Sequence, residues 1–86
     1  MLTEIGEVIK VGAVFDPEQG EGHGIIPKWF IWQGRRFTVD RITFSWKVRD
    51  GRMIFHHFAV INGATLYELT YNAAMLDWKL MNISSV

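Results

Sequence analysis

The chain has 86 residues, no cysteine and a formal net charge of zero. Without cysteine it holds no disulfide, thiolate nucleophile or cysteine-ligated metal, and a small disulfide-free domain fits a reducing cytoplasm better than secretion. Its apolar stretches fall far short of the ~18 residues of a spanning helix, and Met1-Leu2-Thr3-Glu4 lacks a basic region ahead of an apolar run, so neither a membrane segment nor a signal peptide is expected.

In chain order, residues 7–15 read as a first strand. Asp16 to Gly24 then hold three glycines and a proline among acids, so residues 16–26 are expected to form a flexible acidic, Gly-rich loop. Residues 27–33 read as a second strand, with Pro27 tolerated because a first residue need not donate to the ladder. Gly34 turns the chain into a long third strand over 35–49. Phe37 and Val39 are odd-numbered there, whereas Ile42, Phe44, Trp46 and Val48 are even-numbered. A period of two cannot change parity in a straight strand, so Asp40-Arg41 marks a bulge or bend. Unbent, fifteen residues would span about 50 Å. Residues 52–61, 64–71 and 76–83 complete the set, joined by turn signals at Asp50-Gly51, Asn62-Gly63 and Asn72-Ala73. Asp-Gly and Asn-Gly supply the positive φ that tight hairpins need. No window shows a helical period, and no linker divides the chain.

The expected fold is therefore all-β: one domain over 1–86, a small antiparallel meander of about six strands closing into an SH3-like or OB-like partly open barrel, which hides sheet edges. An open curled sheet that dimerises is the alternative. An 86-residue chain buries roughly 64% of its unfolded surface, so an added subunit interface would reinforce the fold.

Charge is segregated. Residues 1–21 carry five acids against Lys10, a balance of −4; residues 28–52 carry seven bases against two acids, +5; residues 53–86 carry −1. The basic segment also holds six of the twelve aromatic residues. Rings that stack on bases beside cations that track phosphates are the recipe for single-stranded nucleic acid. Alternatively one parity of rings fills the core and the cations solvate the outside. Trp29 and Ile31 must point one way along a strand, and Phe30 and Trp32 the other. A tryptophan is thus expected outside, exposed or covered by a second subunit. The candidate binding residues are Trp29, Trp32, Lys28, Arg35, Arg36, Lys47, Arg49 and Arg52.

No catalytic motif emerges. Ser45, His56 or His57, and Asp40 form a trio that any chain this size offers, so an enzyme is not expected. His56 and His57 are adjacent and face opposite ways, which argues against joint chelation. His23 with Glu18 and Glu21 matches no known ion-binding loop. No cofactor or metal is expected. Tyr67, Leu69 and Tyr71 should face the core, with Glu68 and Thr70 toward solvent; Leu76, Trp78 and Leu80 should share a face.

The run Phe30-Ile31-Trp32-Gln33-Gly34-Arg35-Arg36-Phe37-Thr38-Val39, with Tyr67-Glu68-Leu69 and Trp78 later, resembles a family of small uncharacterised bacterial proteins carrying an F-x-W-x-G-R-x-aromatic-x-V hairpin and a late Y-E-L…W segment. The resemblance spans roughly residues 27–80. Similar tails occur at the ends of polymerase-like accessory proteins of mutagenic repair. The resemblance implies a bacterial, cytoplasmic setting and the company of DNA repair, and it brings no established activity with it. The expected function is a non-enzymatic β module acting through protein–protein or self-association contacts, a homodimer included. The rival is a single-stranded nucleic-acid-binding module using segment 28–52, and a third reading is a structural domain of a larger protein.

Overall fold

A computed structural model describes residues 2–18 and 24–86. Seven antiparallel strands form one sheet: β1 (Thr3–Phe15), β2 (Ile25–Trp32), β3 (Arg35–Thr38), β4 (Arg41–Asp50), β5 (Met53–Asn62), β6 (Thr65–Asn72) and β7 (Asp77–Ser85). Their order is β3-β2-β1-β7-β6-β5-β4. Among the described residues there is no helix, and so none long and apolar enough to cross a membrane. The expected all-β meander is present, but with seven strands where about six were expected, and the sheet is not closed into a barrel. The extra strand comes from the parity break. The stretch read as one strand over 35–49 divides at residues 39–40 into β3 and β4.

That break shapes the molecule. β3 and β4 are the two edges of the sheet, yet only Val39 and Asp40 separate them in the chain. The sheet must therefore curl until its edges nearly meet. Val39 N–H donates to Lys28 O of β2 at 2.9 Å, and the next amide, Asp40 N–H, donates to Ile61 O of β5 at 2.8 Å. Asn62 Nδ2 donates to Thr38 O and Gly63 N–H to Asp40 Oδ2, each at 2.8 Å. β1 turns the opposite corner. Its first half, Thr3–Ile9, pairs with β7 and its second, Lys10–Phe15, with β2. The register shifts between Glu4 and Glu7, where Gly6 takes φ +72°, as a bulge in a bent strand requires.

Curling lays β2 and β3 across β6. Phe30 meets Tyr67 edge-on at 5.1 Å and stacks on Phe37 at 5.1 Å. Phe30, Val60, Leu69 and Leu80 are fully buried, with Phe58, Tyr67, Tyr71 and Trp78 around them. Full burial of each such side chain contributes about 1.5–3 kcal/mol. Leu76 does not join Trp78 and Leu80. It sits in the β6–β7 turn at φ +54° and is 77% exposed, because Asn72 Oδ1 accepts from Ala74 N–H and Met75 N–H and winds the chain there.

The hairpin turns follow their glycines. Gln33 and Gly34 both take positive φ, a type I′ pair. At Asp50-Gly51-Arg52-Met53 and Asn62-Gly63-Ala64-Thr65 only the glycine does, and it stands first of the two loop residues, as in type II′. Of the expected 16–26 loop, Ile25 and Ile26 belong to β2, and Asp16 N–H to Gly24 O pins the loop mouth at 2.6 Å. Residues 19–23, with Glu21 and His23, lie outside the described residues.

Candidate functional site

Strand pairing places each candidate. In β2 the register shifts between Gly12 and Ala13, leaving Lys28 as the extra residue. Pro27 before it and Phe30 after it therefore both face the core despite opposite parity. Trp32 packs against that core beside Phe37, and its Nε1 is buried with no hydrogen-bond partner among the described residues. Trp29 faces the other way, as alternation requires, but it is not bare. It lies across from Gly12, and a Cβ on Gly12 would fall inside the indole. The Arg36 guanidinium caps the same ring at 4.6 Å, while Arg35 sits over Phe37 at 5.5 Å. The outside tryptophan is covered by this chain's own arginine and glycine.

The remaining bases lie elsewhere. Lys47 pairs with His56 and Arg49 with Ile54 on the core-facing side of the β4–β5 hairpin, beyond the packed interior, and Arg52 is in its turn. Arg36, on the outer side of β3, is separated from Lys47 by the corner and most of β4. The six candidate bases do not share one face: Arg35 is on the core side of β3 and Arg36 on its outer side.

Exposed apolar groups lie on two parts of the sheet: Val8, Val14 and Phe15 on β1, and Phe44, Val48 and Met53 on the outer surface of β4 and β5. Cross-strand partners carry Phe44 to Ala59, Trp46 to His57 and Val48 to Phe55. Phe44 is 65% exposed, Val48 42% and Met53 38%. Phe44 and Trp46 rings lie 5.4 Å apart, and Trp46 stacks on His57 at 5.0 Å. Beneath that ring His57 Nδ1 lies 3.1 Å from Glu68 Oε2 and 3.3 Å from Thr70 Oγ1, and Asn82 Nδ2 donates to Glu68 Oε1 at 3.0 Å. Glu68 and Thr70 do face away from the core, as their parity requires. Yet Thr70 is buried and Glu68 half-buried; His57 hydrogen-bonds with both, and Trp46 stacks on His57. A shallow groove of about 260 Å³ beside this network is lined by Met53, Phe55, Thr70 and Lys79 among others. The sequence marks no binding role for Val48; its signal is four even-numbered apolar residues, Ile42, Phe44, Trp46 and Val48, expected to share a face, and the register shift between Ile42 and Phe44 instead turns Ile42 to the core and the other three outward.

β4 is also a free edge. No described strand pairs with its far side. Asp50 and Met53 flank a two-residue turn, so they exchange both backbone bonds, and Val48, Trp46 and Phe44 repeat that geometry along β5. The N–H and C=O groups of Ser45, Lys47 and Arg49 therefore point away from the sheet. The opposite edge, β3, is four residues long and carries Arg35 and Arg36, a short charged edge of the kind that discourages pairing.

Other expected chemistry does not assemble. Asp40 accepts from Gly63 at the corner, and His56 lies on the core side next to Tyr71 while His57 lies outside. Among the described residues no cluster of three or more His, Asp or Glu is placed to hold an ion. No family model, curated protein or solved structure matches the chain.

Proposed function

We propose that this chain is a non-enzymatic β module that works through protein contacts made by β4, with a second copy of itself as the first partner. The observation that carries this reading is the conjunction of a ten-residue unpaired edge and a row of exposed apolar side chains on the same strand. Solvent-facing edges are normally short or covered, whereas β4 is long and uncovered, with Lys47 and Arg49 on the face opposite its apolar groups; exposed apolar groups mark interaction sites. The cysteine-free chain supports a reducing, cytoplasmic setting, and the resemblance to small bacterial proteins supports a bacterial one.

The nucleic-acid reading is weaker. It needs rings and cations on one track, whereas Trp29 is occupied by Arg36 and the other bases are divided between distant parts of the fold.

Light scattering across a concentration series tests the proposal. The expected mass rises from the 10.0 kDa of one chain toward twice that value between low and high micromolar concentration, and Phe44→Ser weakens the rise. A single-chain mass at every concentration contradicts it.

A further inference from the structure

We propose that two copies pair antiparallel along β4 in a single register, with a two-fold axis at Trp46, so that the two sheets become one. The inference rests on the association reading above and specifies its geometry.

Only the straight part of β4 can pair in this way. The ladder to β5 shifts between Ile42 and Phe44, and from Phe44 to Asp50 it is regular. In a continuous antiparallel sheet built on a two-fold axis, facing residues must point to the same side, so even-numbered residues face even and odd face odd. Only a few registers of 44–50 against itself satisfy that condition.

Charge separates them. With the axis at Lys47, that ammonium faces its own copy, and Phe44 faces the partner's Asp50. With the axis at Val48, Lys47 faces the partner's Arg49. Like charges directly opposite are destabilising. With the axis at Ser45, only residues 44–46 remain in the regular stretch. With the axis at Trp46, Phe44 faces the partner's Val48, Trp46 its own copy, and Val48 the partner's Phe44. On the other side Ser45 faces the partner's Lys47. Every outer pair is apolar and no cation meets another.

The backbone agrees with this choice. Ser45 and Lys47 carry the outward N–H and C=O groups, so they form the hydrogen-bonded pairs across the new interface. The apolar residues then occupy the non-hydrogen-bonded sites, where side chains approach more closely. Lys47 and Arg49 on an edge usually oppose pairing; here they exclude the wrong registers and leave one open. Five residues a side is a small interface, so the dimer is expected in the micromolar range.

The absence of cysteine makes the register directly readable. Phe44→Cys and Val48→Cys chains, mixed and oxidised, are expected to give mostly the mixed 44–48 disulfide, and Val48→Cys alone little product. On the native chain, amide exchange at Ser45 and Lys47 is expected to slow as concentration rises while Arg49 stays fast. This second measurement decides the matter if a variant fails to fold. A dominant 48–48 product, or equal slowing at Arg49, in a chain that still doubles its mass overturns this register and leaves the association reading standing. A mass that stays at that of one chain overturns both.

Discussion

Trp46 of β4 lies nearly flat on His57 of β5, ring centroids 5.0 Å apart and planes 14° from parallel. The stack turns His57 Nδ1 toward Glu68 Oε2 at 3.1 Å, and Asn82 holds the other carboxylate oxygen. Trp46 thus packs against one member of an outer polar network, which holds it beside the free edge. A fixed aromatic ring loses little side-chain entropy on binding, which favours it as an interface anchor. A double-mutant cycle with His57→Ala and Glu68→Ala is expected to give a coupling of about 1 kcal/mol, near the net value of one hydrogen bond. Urea unfolding at low chain concentration measures it; additive losses would remove the network from the account.

Gly12 and Trp29 make the same point on the opposite half of the sheet. A methyl group at residue 12 collides with the indole, so Gly12→Ala must lift Trp29 off the strand and away from Arg36. Loss of that cover and of the cation–π contact is expected to cost about 1–2 kcal/mol and to shift tryptophan emission to longer wavelength. Unchanged emission and unfolding midpoint would show that the ring does not rest there.

The corner at residues 39–40 is held by Asp40 and its neighbours. Asp40→Ala leaves Gly63 N–H without its carboxylate acceptor, and the expected loss is about 1 kcal/mol. Gly63→Ala acts differently: at φ +61° an added Cβ strains the backbone although nothing crowds it, with a loss of about 1–2 kcal/mol. Thermal melts distinguish the two, since the double variant should be close to additive only if the strain and the hydrogen bond are independent.

Much of this architecture is legible in the residues. The turn glycines, the alternation of Phe30 and Trp32 against Trp29 and Ile31, and the parity break near Asp40 all follow from period-two geometry and positive φ. Two things are not. The edge position of β4 depends on β1 running up the middle of the sheet to join β7 and β2, a long-range pairing that no local pattern encodes. The cover over Trp29 depends on Gly12 lying opposite it and Arg36 reaching over it, which requires the register of three strands. For that reason the basic aromatic segment looks like one surface in the sequence and is several surfaces in the fold.

Separation of the bases carries its own expectation. A single-stranded oligonucleotide added at ~50 mM salt should leave tryptophan emission and anisotropy unchanged, because phosphate-tracking cations and free rings are not aligned. Saturable quenching that fades steeply with salt would restore the nucleic-acid reading.

Sedimentation equilibrium of the native chain beside Lys47→Pro tests the role of the β4 edge most directly. Lys47 N–H points away from β5, so a proline there removes an edge donor and one ammonium but no bond of the β4–β5 ladder, a position where strands tolerate it. The native chain is expected to approach twice its single-chain mass at high micromolar concentration, while Lys47→Pro stays monomeric with a dilute-solution unfolding midpoint close to native. Identical association of the two chains, or none by either, would contradict the account.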